Sequence, residues 1–314
     1  MKVALCYYGN TGWKPGSDGS RVPLQPDICY SSVKQHIIDV NDQVDVFIHS
    51  WSTDLQMEII NTLKPVKYLI ENQREFPEAV DHKNSITSLA DLKSAVLEKI
   101  RLYLNSSLIS DRVEGAKRVY SRWYSTKKVI ELKKTYEHEH DFKYDMVMLI
   151  RLDIEFYTDI NFRGFDKSCF YCSDTSDLHR IRHNYLARNG VLEYQNINLG
   201  IIKKPIHETI IEKLGLEKSV FFVQPKLINA LQAKIGLGRY VLSDTWFIAS
   251  SEKMDEFGML FDRLKCYRSC SHIASFQHAQ QIFDYSKFKF RLEQFTDFEI
   301  YRFSQKVSVP HNNF

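Results

Sequence analysis

Phe142-Lys143-Tyr144-Asp145-Met146-Val147-Met148-Leu149-Ile150-Arg151-Leu152-Asp153-Ile154-Glu155-Phe156-Tyr157 is the stretch that decides the fold. Its middle, Asp145 to Ile150, is a nearly continuous apolar run, long enough for one strand buried on both faces. The run then breaks into charge, with Arg151, Asp153 and Glu155 separated by Leu152 and Ile154. On extended chain, carboxylates at i and i+2 point to the same side. At the carboxyl end of a buried strand, that side opens on the crevice where α/β sheets bind ligands. A carboxylate pair there offers hard oxygen ligands to a divalent cation, which in turn usually carries phosphates. The stretch therefore predicts a metal-assisted site for a nucleotide diphosphate.

The preceding chain supplies neighbours for that strand. Lys2 to Tyr8 reads as a first strand, Val44 to Trp51 as a second and Val66 to Ile70 as a third. Helical patterns at Ile28 to Val40 and Leu55 to Leu63 lie between them, and this alternation marks a parallel α/β sheet. Between Gly9 and Pro26, four glycines and three prolines break regular patterns, so a loop is expected directly after the first strand. Such a loop suits close backbone approach to a nucleotide, although it matches neither G-x-G-x-x-G nor the phosphate-loop pattern. An ordinary surface loop fits it nearly as well. Tyr8, Gly9 and Arg21 are its candidate donor-binding residues, and His49 and Trp51 emerge at the same edge as Asp153. For His49 a hydrogen-bonded structural role competes with ligand contact.

Bulk properties bound the function. A chain of 314 residues, 44% hydrophobic and 26% charged, with 20 Phe and 17 Tyr, suits a well-packed enzyme. A net charge of +3 is too small to argue for nucleic acid by itself. No apolar run approaches the roughly 20 residues that span a bilayer, and the first is too short for a signal peptide, so a cytoplasmic protein is expected. Six cysteines make no disulfide framework in a chain of this length. Cys169 with Cys172 and Cys266 with Cys270 invite a zinc reading, but the second pair is four apart and residues three apart on a strand face opposite sides. Buried reduced thiols are expected instead.

Helices are expected over Leu89 to Leu104 and Arg112 to His140. The second has a core stripe of Ala116, Val119, Trp123 and Ile130 beside many basic residues, including Arg118, Arg122, Lys127, Lys128, Lys133 and Lys134. Most of these belong on a solvated face, with Arg118 or Arg122 the candidates for an anionic ligand. Farther on, strands are expected at Cys169 to Cys172, Asn196 to Ile202, Tyr240 to Leu242 and Phe288 to Phe295. Helices are expected at Ile206 to Leu214, Lys226 to Ile235, Ser251 to Leu264 (with Ser251 as N-cap) and Ser271 to Ile282. The tail from Ser304 should fray.

Taken in order, K-V-A-L-C-Y-Y-G, V-D-V-F-I-H-S-W, the K-Y-D-M-V-M-L-I-R-L-D segment and L-S-D-T-W-F-I-A-S-S-E-K-M-D-E-F resemble a family of sugar-nucleotide glycosyltransferases from bacterial polysaccharide clusters and from large viruses and phages. The resemblance spans roughly residues 1 to 265. It implies an α/β, GT-A-like fold: a Rossmann-type mixed sheet flanked by helices, with acceptor-side elements in the C-terminal half. One domain over 1–303 is then expected, its nucleotide-binding part about 1–157 and its acceptor-side part about 158–303, with 304–314 a flexible tail. It also implies a nucleotide-diphosphate sugar donor such as a UDP-sugar, and a manganese or magnesium ion (Mn2+ or Mg2+) held where Asp153-Ile154-Glu155 stands. Glu155 departs from Asp-x-Asp, a change that a hard cation tolerates. If the pattern is R-x-D instead, Arg151 and Asp153 carry the role, Glu155 faces the core edge, and metal dependence is left open.

Asp244 is the candidate general base on an acceptor hydroxyl, against a plain turn aspartate. His278 lies where many GT-A enzymes carry a late metal-binding histidine, against a structural one. The acceptor is a bacterial glycan or, given the basic segments at Arg112 to Lys134 and His179 to Arg188, a hydroxymethylated base in viral DNA in an infected host cell. The competing class is a non-catalytic nucleotide- or glycan-binding module on the same fold.

Overall fold

A computed structural model describes residues 1–15, 21–79, 107–174, 242–267, 271–293 and 298–300. Its centre is a seven-stranded sheet in the order β10-β8-β9-β6-β1-β4-β5. These strands are β1 (Lys2–Gly9), β4 (Gln43–Ser50), β5 (Lys67–Ile70), β6 (Met146–Arg151), β8 (Phe170–Asp174), β9 (Trp246–Ala249) and β10 (Phe288–Glu293). β1 pairs in parallel with β4 and β6, and β4 with β5. β9 runs antiparallel to both of its neighbours, β6 and β8, while β10 is again parallel to β8. This is the α/β class expected above, a mixed sheet flanked by helices.

The apolar runs bury both faces because successive side chains alternate. From β1, Ala4, Cys6 and Tyr8 join a core with Trp123, Ile130, Phe247 and Phe257. Val3, Leu5 and Tyr7 join the opposite core with Val33, Ile37, Ile59 and Trp246. The first core lies under the long helix α3 (Ser107–Glu139) and under α4 (Ser251–Gly258), α5 (Leu260–Arg263) and α6 (Ser271–Ile282); the second lies under α1 (Pro26–Val33) and α2 (Gln56–Leu63). No described helix is long and apolar enough to cross a membrane.

Several expectations shift in detail. The helix expected at Ile28 to Val40 ends as α1 and widens into a π turn over Lys34–Ile38, leaving the His36 carbonyl to accept the Ile160 N–H at 2.8 Å. The glycine-rich loop contains a small hairpin, β2 (Trp13–Pro15) with β3 (Arg21–Pro23). The strand of the opening stretch does not continue to Tyr157: a turn at Leu152 and Asp153 separates β6 from β7 (Ile154–Phe156), which pairs with β11 (Phe298–Ile300) in a sheet of its own. β9, central to the main sheet, was not among the predicted strands. The expected elements at Leu89–Leu104, Asn196–Ile202, Ile206–Leu214 and Lys226–Ile235, and the tail from Ser304, lie outside the described residues, as do Tyr240 and Val241; Leu242 is not in a strand.

Ser251 is not the N-cap of α4; Ser250 holds that position and makes no side-chain cap bond. The Ser251 hydroxyl instead donates to Glu137 Oε1 at 2.6 Å. Lys133, wholly buried, ion-pairs with Glu137 at 3.0 Å and Asp255 at 2.6 Å and also reaches Ser251. Burial raises the Asp255 carboxyl. Burial acts on Glu137 in the same direction, but hydrogen bonds from Ser251, the Tyr144 N–H and Lys133 outweigh it and hold that carboxyl below its usual range. The network locks α4 onto α3.

That docking leaves no room at Gly258, where an added Cβ would stand 2.8 Å from Ile130 Cγ1. Overpacking of this kind costs about 1–3 kcal/mol. Gly258→Ala should lower the urea midpoint accordingly, and an unchanged midpoint would contradict the close α3–α4 packing.

Candidate functional site

The chain runs from β1 to β4 and β5 on one side, then crosses to β6 on the other. The sheet order therefore reverses beside β1, and ligands of open α/β sheets bind at the carboxyl ends of the strands at such a reversal. In register there, Tyr8 stands opposite His49 on one side and Arg151 on the other. Tyr8 shares its face with Ala4 and Cys6, Arg151 with Val147 and Leu149, and His49 with Phe47, so all three project toward α3. β9, being antiparallel, begins at this same edge, and Asp244 sits in the bend just before it.

These residues form one chain of contacts. The Tyr8 hydroxyl donates to the Asp244 carbonyl at 2.6 Å and accepts from Arg122 Nη2 at 3.0 Å. Arg122 Nε lies 3.4 Å from Asp244 Oδ2, and Arg151 Nη1 lies 3.8 Å from Asp244 Oδ1. Arg151 also grips Asp153 by a fork, Nε to Oδ1 at 2.7 Å and Nη2 to Oδ2 at 2.6 Å. The Arg122 guanidinium lies 3.6 Å from the centre of the Trp123 ring and 4.9 Å from that of Tyr8. Burial pushes the Tyr8 phenol up to about 12 against the pull of Arg122, so it stays protonated and donates. Burial opposes the charge of Arg151, but Asp153 and then Asp244 more than offset it, and the guanidinium is held well above its ordinary range.

Beside them, Ser125 of α3 ties two strand ends together. Its Oγ accepts the Gly9 N–H at 2.9 Å and lies 2.7 Å from His49 Nδ1, while His49 Nε2 faces Glu71 at 3.1 Å. Burial depresses His49 more than Glu71 raises it, so the ring is neutral: it donates from Nε2 and accepts the Ser125 hydroxyl at Nδ1. Trp51 is buried and stacks on Tyr124 at 5.5 Å. Gly9 has φ +95, a conformation that favours glycine, where β1 opens into the loop.

The remaining candidates are placed as follows. Arg21 opens β3, and Arg118 is exposed on α3, one turn before Arg122. Glu155 lies on β7 beyond the turn and accepts from the Tyr157 hydroxyl at 3.3 Å. His278 is buried between Tyr267, 3.1 Å from Nδ1, and the Glu256 carbonyl, 3.1 Å from Nε2, and burial lowers it to about 4. Among the described residues, no group of three or more His, Cys, Asp or Glu is placed to hold a metal ion. The Asp153 oxygens that a cation would use already accept from Arg151, and a second positive charge beside that guanidinium is repelled. In this arrangement the residues do not fit a divalent cation.

Sequence reading missed Ser125, and also Thr245, whose hydroxyl lies 2.8 Å from that of Ser173 and 3.2 Å from that of Ser243 at the same strand ends. The spacing of Ser125 from Arg122, three residues along one helix face, is the signal that would have found it. Of the basic residues on α3, Lys117 pairs with Glu75, Lys127 with Asp262, Lys128 with Glu131 and Lys133 with Glu137. Their charge is largely spent within the protein. Cys169 and Cys172 are buried and Cys266 is exposed; Cys270 and the segment from His179 to Arg188 lie outside the described residues.

No family model and no curated protein matches the sequence. Among solved structures, the chain aligns with mouse xyloside xylosyltransferase 1 in its apo form, at 10% identity and a TM-score of 0.35, covering 93% of this chain and 84% of that one. It also aligns with the apo bifunctional glycosyltransferase WbbM at 11% identity and a TM-score of 0.35, covering 93% of this chain but only 38% of WbbM. At such likeness neither activity nor substrate transfers from one protein to another.

Ser125→Ala would leave the Gly9 N–H and His49 Nδ1 without their shared partner in a buried place. The expected loss is about 1–3 kcal/mol in denaturant unfolding, and a loss below half of the lower figure would show that Ser125 does not hold these strand ends.

Proposed function

We propose that the protein is a glycosyltransferase that moves a sugar from a nucleotide-diphosphate donor to an acceptor hydroxyl. The observation that carries this reading is the convergence of Asp244, Arg122 and Arg151 at the carboxyl edge where the sheet order reverses, on the segments that resemble sugar-nucleotide glycosyltransferases. The nucleotide lies along the ends of β1 and β4, against Tyr8, Gly9, His49 and Trp51. Arg122 and Arg151 face the diphosphate, and Asp153 holds the Arg151 fork in place.

Asp244 acts as general base. It takes the proton of the acceptor hydroxyl as that oxygen bonds to the anomeric carbon, and the bond from that carbon to the diphosphate breaks. The bond electrons leave with the diphosphate, whose growing charge faces two guanidiniums already in position.

The acceptor in this reading is a glycan hydroxyl. The pairing of the α3 lysines with acidic neighbours favours it over a base in DNA, which would call on unpaired positive charge to meet phosphates. A salt titration separates the two: acceptor binding should change little between 50 and 200 mM salt, whereas a fall of about 10³-fold or more would point to DNA.

Activity is tested by single-turnover assays over a panel of nucleotide sugars. Asp244→Asn should lower transfer by about 10²–10⁴-fold, the range for loss of a general base, while leaving donor binding intact. Asp153→Ala should weaken donor binding by releasing Arg151. If the wild-type protein neither transfers nor hydrolyses any donor, the enzyme reading fails and a binding module takes its place.

A further inference from the structure

Asp244 lies in a bend two residues ahead of β9, beyond Trp246, the last residue of that strand paired with β6. Main-chain contacts to β6 and β1 hold the bend. The Thr245 carbonyl accepts the Arg151 N–H at 3.3 Å, and the Asp244 carbonyl accepts the Tyr8 hydroxyl at 2.6 Å. The same phenol oxygen lies 3.4 Å from the Thr245 carbonyl and accepts from Arg122 Nη2 at 3.0 Å. Tyr8 is buried on a strand paired on both sides, with β4 and with β6. Its hydroxyl therefore joins the centre of the sheet to the residue whose carboxylate must meet the acceptor.

We propose that Tyr8 is a positioning residue for the transfer step: its hydroxyl sets where the Asp244 carboxylate stands, and losing it slows the chemistry without weakening donor binding. This rests on the glycosyltransferase reading of the site. A general base works only within hydrogen-bond reach of the proton it takes. A misplacement of about 1 Å at a reacting centre costs on the order of 10²-fold. The side chain of aspartate is short, so fixing its main-chain carbonyl against a central strand narrows the positions its carboxylate can take.

Removal of the hydroxyl acts unequally on its two partners. The Arg122 guanidinium keeps its place over the Trp123 ring at 3.6 Å, its contact from Nε to Asp244 Oδ2 at 3.4 Å, and the ring of residue 8 at 4.9 Å. The Asp244 carbonyl loses its 2.6 Å bond, and the contact it receives from Arg122 Nη2 is longer, at 3.4 Å. Donor contacts through Arg122 should therefore persist while Asp244 shifts. Burial pushes the phenol up to about 12, and the charged groups facing it are Arg122, Asp244 and Arg151, so the hydroxyl donates throughout the neutral range.

The test is a double-mutant cycle on the intact chain: wild type, Tyr8→Phe, Asp244→Asn and the double variant. Single-turnover transfer is measured with a panel of nucleotide sugars, and nucleoside diphosphate binding by calorimetry. Tyr8→Phe should lower transfer at saturating donor by about 10-fold or more and change diphosphate binding by less than about 2-fold. In the Asp244→Asn background the same substitution should change the residual transfer by less than about 2-fold, because the carboxylate it positions is gone. A tyrosine that merely supports the fold would lower both backgrounds alike. Circular dichroism checks each variant. Should Tyr8→Phe misfold, a fluorinated tyrosine placed at position 8 keeps the hydroxyl but ionises at lower pH. Its transfer should then begin to fall at a lower alkaline pH than that of the wild type. Unchanged transfer in Tyr8→Phe, an equal loss in both backgrounds, a loss confined to diphosphate binding, or an unmoved pH profile overturns the inference and leaves the glycosyltransferase reading standing. No transfer by the wild type with any donor overturns both.

Discussion

Two guanidiniums and two carboxylates, set alternately between α3 and the ends of β6 and β9, are the constraint on which this edge of the molecule depends. Each would be costly to bury alone, and truncating one partner leaves the other uncompensated. The tyrosine hydroxyl between them, donating to the Asp244 carbonyl and accepting from Arg122, links β1 to the start of β9 and to α3. One polar chain therefore sets the mutual position of elements more than 200 residues apart in sequence. The opposite end of α3 is fixed by the same physics, with Lys133 buried among Glu137, Asp255 and Ser251.

The sheet brings this constraint to the edge at which open α/β sheets generally bind ligands. Strand order reverses beside β1, and strand parity sends Tyr8, His49 and Arg151 toward one helix. The antiparallel direction of β9 then delivers Asp244 to that edge from the far half of the chain. A parallel strand there would have delivered Ala249 and the start of α4 instead.

How much of this could be read beforehand follows from where the information lies. β1, β4 and β6 were legible because strands buried on both faces need continuous apolar runs. β9 was not: Trp246–Ala249 is four residues long, and its place is set by pairing with β6 and β8, whose sequence positions are distant. Arg151 and Asp153 were named from their spacing, but the inference that Asp153 and Glu155 share a side assumed an extended chain. The turn at Leu152 and Asp153 separates the two carboxylates and lets Arg151 fold back onto Asp153 instead. Lys133 looked like one more solvated lysine because its partner Asp255 comes from another helix. Ser125 carried only the signal of its spacing from Arg122, and a serine within a helix is usually unremarkable until its neighbours in space are known.

The central claim is that the ligand site is this edge, and amide hydrogen exchange measured with and without a saturating nucleoside diphosphate tests it most directly. The account expects added protection at residues 8–10, 49–52, 151–153 and 243–246, with little change in β5, α2 and α6. Protection confined to elements away from the β1–β6 edge, with those four segments unaltered, would contradict it.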